Sequence, residues 1–196
     1  MSQDPSLVAI AATARWRARI VAAAASAGIT ITDPLAGVPG IRVLTCAPGD
    51  LARLVPGLGG EPSRPAIGAH SDSIADRELR DAVADVAALL SLHGNVVLDL
   101  DAAGRRRGTT RPDVVVSATP DRPQWTEPAV ALPVGTDRRG GPLTVELTAG
   151  PGFEGTLLEL AGLVAADASG ARFRPRPTPA DRRAGSRGPG TSLPAC

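Results

Sequence analysis

The sequence predicts an α/β fold: a single three-layer domain with a mostly parallel sheet, a late β-hairpin and a disordered C-terminal tail. Near-continuous apolar runs at residues 95–101 and 113–117 are typical of strands buried on both faces. An amphipathic helical pattern leads into the first of these runs. The 196-residue chain has two Trp, two Phe and no Tyr, so small aliphatic residues fill the core, which favours helices packed on a sheet.

The first half of the chain begins with a predicted helix. Asp4 and Pro5 form an N-cap and first-turn pair, and the helix runs to about Ala27 and ends at Gly28. The apolar residues that define its stripe recur every three or four positions: Leu7, Ala11, Ala14, Ala18, Val21 and Ala25. A sheet-covering helix is favoured over a membrane-surface helix because alanine buries little area in lipid.

Short elements follow this helix. Residues 41–46 are rich in β-branched side chains and predict a buried strand, residues 51–55 a short helix, and residues 66–69 a short strand. The strongest unit comes next, with Ser73 and Asp76 at the spacing of a capping box.

That helix steps along one apolar face and ends at Gly94, directly before the predicted strand 95–101. Residues 102–112 predict an exposed loop, and 113–117 a second buried strand. Two short runs around a Gly-rich turn, 129–134 and 143–147, predict a hairpin, and a final helix is expected from about residue 157.

We expect a globular α/β domain over residues 1–173 and a disordered Arg/Pro/Gly-rich tail over 174–196. The domain holds 16 arginines against 19 acids, whereas the tail holds five arginines and one acid. A nucleic-acid-binding surface needs clustered cations, so none is expected on the globular domain. The N-terminus does not resemble a signal peptide or a membrane span, and a cytoplasmic location is expected.

The absence of lysine excludes several chemistries. All 21 basic residues are arginine, so a P-loop lysine, a Schiff-base lysine and a kinase strand lysine are all missing. No catalytic residue and no resident cofactor are therefore predicted, although Mg²⁺ is compatible with the carboxylates described next.

Asp99 and Asp101 alternate along one strand and so share a face. Two carboxylates at a strand end can hold Mg²⁺; hydrogen bonding of Asp99 to the next loop, with Asp101 solvated, is the favoured alternative. Arg105, Arg106 and Arg107 follow directly and could bind a phosphate or carboxylate, pair with the aspartates or remain a solvated loop.

Cys46 ends a predicted strand and would need a basic partner to act as a nucleophile. The two histidines are His70 and His93. A helix C-terminus explains His93 without catalysis, and burial as an apolar side chain is the favoured interpretation of Cys46.

The residues also resemble a known family. Gly40-Ile41-Arg42-Val43-Leu44, the helix before Val96-Val97-Leu98-Asp99-Leu100, and Pro112-Asp113-Val114-Val115-Val116 resemble the later half of ParA/MinD-type ATPases, closest to their CpaE-like actinobacterial branch. The resemblance implies a doubly wound sheet, ATP-dependent dimerisation and roles in positioning cellular machinery. Asp99 would match the acid that holds Mg²⁺ through water. The family's phosphate loop has no counterpart here.

Two shorter resemblances exist. The six residues Val96–Asp101 resemble the first motif of haloacid-dehalogenase-like phosphatases, although Ala102 and Ala103 replace the usual Gly-Thr. Residues 134–147 resemble the strand pair before the ATP site of FtsK-like translocases.

The favoured functional hypothesis is a non-catalytic α/β partner or regulatory protein, related at most distantly to CpaE/MinD-like ATPases, with a protein partner and an oligomeric state the sequence does not specify. The first alternative is a Mg²⁺-dependent hydrolase or phosphatase using Asp99 and Asp101. The second is an interaction module that acts through the basic tail.

Overall fold

The structure is a computed structural model that describes residues 6–35, 41–58, 65–71, 74–100, 112–118, 126–150 and 152–169, with the backbone alone for residues 33–35, 99 and 169. Within these ranges the strands are β1 Val8–Thr13, β2 Thr32–Leu35, β3 Ile41–Cys46, β4 Ala66–Ala69, β5 Val96–Asp99, β6 Val114–Ala118, β7 Ala129–Thr136 and β8 Pro142–Ala149. The helices are α1 Ala14–Ala27, α2 Pro48–Leu58, α3 Arg77–Leu92 and α4 Glu154–Ser169.

The strands form one sheet in the order β2-β3-β1-β7-β8-β6-β4-β5. The pairs from β2 to β6 in this order are antiparallel, and β4 pairs in parallel with both β5 and β6. The α/β class is confirmed, whereas the expected mostly parallel sheet requires correction. Two parts of the sheet account for this. β2, β3 and β1 pair antiparallel on one side, and the β7–β8 hairpin, which is antiparallel by construction, lies between β1 and β6.

All four helices pack on one face of the sheet. They share a single apolar cluster with alternate strand residues such as Ile10, Leu44, Val116 and Leu147. A second cluster contains strand residues only: Ala9, Ala11, Ile41, Val43, Ala129 and Ala131. The described part of the chain therefore has two layers, a helix face and a helix-free face of the sheet, where three layers were expected.

The N-terminal prediction was partly wrong. The helix expected from Asp4 begins only at Ala14, because Val8–Thr13 form β1 in the middle of the sheet. Residues 1–5 lie outside the described residues. A central strand is apolar on both faces, so its continuous run of small residues also satisfies a helical spacing. The predicted end at Gly28 is confirmed by its left-handed φ of 65°.

The other predicted elements are confirmed with shifted ends, and β2 was not predicted. Asp76 is itself the N-cap of α3, with its carboxylate accepting from the N–H groups of Glu78 and Leu79. Ser73, the expected cap, lies outside the described residues. The hairpin and the last helix lie where the sequence placed them.

Candidate functional site

The carboxyl ends of the parallel strands β5, β4 and β6 lie at the same end of the sheet. In open α/β folds, ligands bind beyond the carboxyl ends of the strands. β5 ends at Asp99, whose backbone pairs with Ala69 at the end of β4. The structure gives the backbone of Asp99 but not its side chain. Asp101 and the predicted anion-binding residues Arg105, Arg106 and Arg107 lie outside the described residues.

Leu100 and Pro112, the described residues on either side of residues 101–111, meet on the helix-free face over Gly68. A Cβ on Gly68 would lie 2.5 Å from Leu100 Cδ1 and 2.9 Å from Pro112 Cγ. Leu100 and Pro112 are both buried. The segment between them therefore begins and ends beside β4, at the parallel part of the sheet.

Three polar residues, His70, Ser117 and Glu146, form a row across neighbouring strands close to Gly68. This row was not predicted from the sequence. Glu146 on β8 is 8% exposed and pairs with Ser117 on β6. His70 directly follows β4, and its backbone N–H donates to Val116 O at 2.9 Å. Alternation places Ser117 and Glu146 on the helix-free face, because Val116 and Leu147 belong to the helix-face core.

On the strand that carries Glu146, Leu143, Val145 and Leu147 alternate with polar residues, so the sequence marks Glu146 only as one of the polar positions. That pattern predicts a solvated glutamate, whereas the structure buries it. His70 and Glu146 each take part in an interaction within the protein.

Cys46 lies in the helix-face core and is 3% exposed. Burial, with a smaller contribution from the negative charge of Asp50, raises the pKa of its thiol to about 12. His70 is on the far side of four intervening strands, about 24 Å away at 4.8 Å per strand. His93 is the C-cap of α3, as its helix-terminal position predicts. The structure does not bring a Cys–His pair together at Cys46.

Two buried or half-buried acids hold elements in place. Glu154, 7% exposed, accepts from Gly152 N–H at 2.9 Å and from the Thr13 hydroxyl at 3.4 Å, which joins the end of β1 to the start of α4. The carboxylate of Asp113 accepts from Ala66 N–H at 2.8 Å, which fixes the start of β4. Among the described residues no group of three or more His, Cys, Asp and Glu converges as a metal site.

The α3–β5 connection exposes two large apolar side chains. Leu92, the last residue of α3, is 79% exposed, and Val96, the first of β5, is 61% exposed. β5 is an edge strand of the sheet and contains no proline. The opposite edge, β2, contains Pro34, which removes a backbone donor and blunts an edge.

Comparison with known proteins adds a fold likeness alone. No family model and no curated protein matches the sequence. Two solved structures of 6-aminohexanoate cyclic dimer hydrolase, one of them complexed with substrate, match with a TM-score of 0.53 and 14% identity. The matches cover 82% and 83% of this chain and 60% of those chains, so this chain spans less than two thirds of their length.

In the part of the chain that the structure describes, no helix combines the length and apolar character required to cross a membrane.

Proposed function

We propose that this chain is a non-catalytic α/β protein that acts by binding a protein partner, as a regulatory or structural subunit. The observation that carries this proposal is the exposure of Leu92 and Val96 at the start of the edge strand β5, which contains no proline. Large apolar side chains are costly to expose to water, and an edge strand also presents unpaired backbone groups that can pair with another chain. A partner that covers them offsets that cost.

The reactive groups described in the structure support this proposal through their structural roles. The Cys46 thiol has a pKa of about 12 and is protonated at neutral pH. Asp76, Asp113 and Glu154 each accept hydrogen bonds from backbone N–H groups that cap or fix an element. These carboxylates stabilise helix and strand ends.

The resemblance to CpaE/MinD-like ATPases enters the same proposal as a degenerate relationship. A chain without lysine does not hydrolyse ATP by a mechanism that depends on a phosphate-loop lysine. We propose accordingly that it works beside an active ATPase or a comparable machine, in the cytoplasm.

Calorimetry with ATP and Mg²⁺, combined with a phosphate-release assay, tests the non-catalytic part of the proposal. We expect neither submicromolar ATP binding nor turnover. Tight binding together with turnover would overturn it. The binding part is tested with the Leu92→Ser and Val96→Thr variants, which should weaken any identified partner complex at least tenfold, whereas Val21→Thr, at another exposed valine on α1, should not.

A second candidate, a Mg²⁺-dependent hydrolase acting on phosphorylated substrates, is favoured by one specific observation. β5 ends at Asp99 in the parallel part of the sheet, beside the ends of β4 and β6, which is where such sheets bind ligands. A phosphatase screen with Mg²⁺ should compare the wild type with Asp99→Asn, and with Asp85→Asn on the exposed surface of α3 as the control. Activity lost only in Asp99→Asn would promote this candidate.

A further inference from the structure

We propose that β5 accepts a short, extended, apolar segment of another protein as an added strand, a proposal that rests on the protein-binding function and names the chemistry of the partner. The first step is the backbone. Leu100 N–H donates to Ala69 O at 3.0 Å, so the even-numbered N–H groups of this strand point toward β4. The odd-numbered groups, those of Val97 and Asp99, point away from the sheet.

The exposed side chains around β5 determine which kind of added strand can pack there. Val97 packs against the helix-face core, so Val96, its neighbour, projects from the helix-free face. Leu92 ends α3 in the helix layer. Exposed apolar surface therefore lies on both faces of the sheet beside β5. Consecutive residues of an added strand point to opposite faces, so a segment that contacts apolar surface on both faces must be apolar at every position.

Other occupants fit less well. β5 has four residues and is about 13 Å long at 3.3 Å per residue, too short for a second copy joined through this strand alone to bury the 1,200 Å² or so of a stable interface. Head-to-tail pairing of β5 with β2 of another copy meets Pro34. The chain's own residues 174–196 contain Leu193 as their only large aliphatic residue, which does not make an apolar strand.

The test uses a defined probe, a capped Val/Ile-rich hexapeptide with one arginine at each end, and a control peptide with proline at its two central positions. Backbone amide hydrogen exchange is followed by NMR in the full-length protein. We expect the first peptide to slow exchange at Val97 and Asp99 at least tenfold, and the control peptide to have no effect.

Two variants keep the result interpretable. Val97→Pro removes the outward donor and should abolish the protection, while Val97→Thr keeps both the donor and the branched side chain and should retain it. Val96→Lys, at a side chain already 61% exposed, places a charge on the edge without disturbing the core and should weaken binding at least fivefold if Val97→Pro does not fold.

Three outcomes overturn the proposal: no binding of the peptide, binding without protection of Val97 and Asp99, or concentration-dependent protection of both amides in the absence of peptide, which would assign the edge to a second copy. None of these outcomes decides the ATP calorimetry, which tests the non-catalytic part of the proposed function, or the Leu92→Ser and Val96→Thr test on an identified partner complex. The proposed function therefore fails or survives separately.

Discussion

The close packing around Gly68 predicts that a single added methyl group lowers the stability of the protein. A Cβ on Gly68 would meet Leu100 Cγ and Pro112 Cγ at 2.9 Å, and Pro112 is a rigid ring. We expect Gly68→Ala to lower the free energy of unfolding by about 1–3 kcal/mol, because overpacking displaces buried neighbours. Gly49→Ala, with nothing within 4 Å, is the control and should leave stability unchanged or slightly higher. Urea unfolding of both variants decides the comparison.

The buried thiol of Cys46 makes the free energy of unfolding decrease as the pH rises into the alkaline range. Its pKa is about 12 in the folded protein against an ordinary 9.0, so the unfolded chain releases this proton first as pH rises. The stabilisation is complete below pH 9 and is lost between pH 9 and 12, on the order of 4 kcal/mol. Urea unfolding at pH 8 and pH 11 should show a fall that is smaller in Cys46→Ala, both in a Cys196→Ser background. An equal fall in both proteins would contradict this origin.

Two residues, Asp99 and Glu146, show how much of the candidate site could be predicted from the sequence. Asp99 ends β5, within the predicted strand 95–101 and two residues before its predicted end, because a short apolar run that ends in carboxylates is a local signal. The burial of Glu146 was not foreseeable, since it depends on β8 lying inside the sheet between β6 and β7. Burial of a polar residue is set by partners distant in sequence.

At the scale of elements, the N-cap of α3 gives a direct prediction. Asp76 accepts from Glu78 N–H at 2.8 Å and from Leu79 N–H at 3.1 Å. Asp76→Ala should destabilise the protein by about 1 kcal/mol, whereas Asp76→Asn should keep most of the stability, because asparagine also accepts at this position. Thermal unfolding of both, with Asp85→Ala on the exposed face of α3 as the control, tests the cap. Equal losses in all three variants would argue against it.

The elements also divide into those that local chemistry predicts and those it does not. α3 was predictable because its apolar residues have helical spacing and its ends carry a cap and a glycine. β1 was not, since its five apolar residues followed by Thr13 satisfy both strand and helix patterns. The partners of β1 and the direction of its pairing were not predictable either. β1 pairs antiparallel with β3 and β7, and the local sequence of β1 contains no signal that β7 is its neighbour.

At the scale of the whole molecule, the order of strands ties the two halves of the chain together. β1, from the N-terminus, lies between β3 and β7, and β8 joins β7 to the parallel strands. The helix layer crosses the same division: a Cβ on Gly155 of α4 would be only 3.0 Å from the Trp16 ring of α1. A cut between β3 and β4 would divide the described sheet into β2-β3-β1 and the other five strands, but the β1–β7 pairing and the apolar cluster shared by all four helices cross that division. The core should therefore unfold as one cooperative unit.

This cooperativity is measurable with Trp16 as a local probe in a Trp125→Phe background. Arg19 stacks on the Trp16 ring at 4.1 Å and donates to Leu58 O, so the fluorescence of Trp16 reports where α1, α2 and α4 meet. Far-UV circular dichroism reports all the helices and strands. We expect the two signals to follow one urea transition with the same midpoint, because the contacts around Trp16 exist only while the sheet that orients all three helices is intact. Separate transitions, with Trp16 fluorescence changing first, would show instead that the helix layer detaches from a sheet that survives without it.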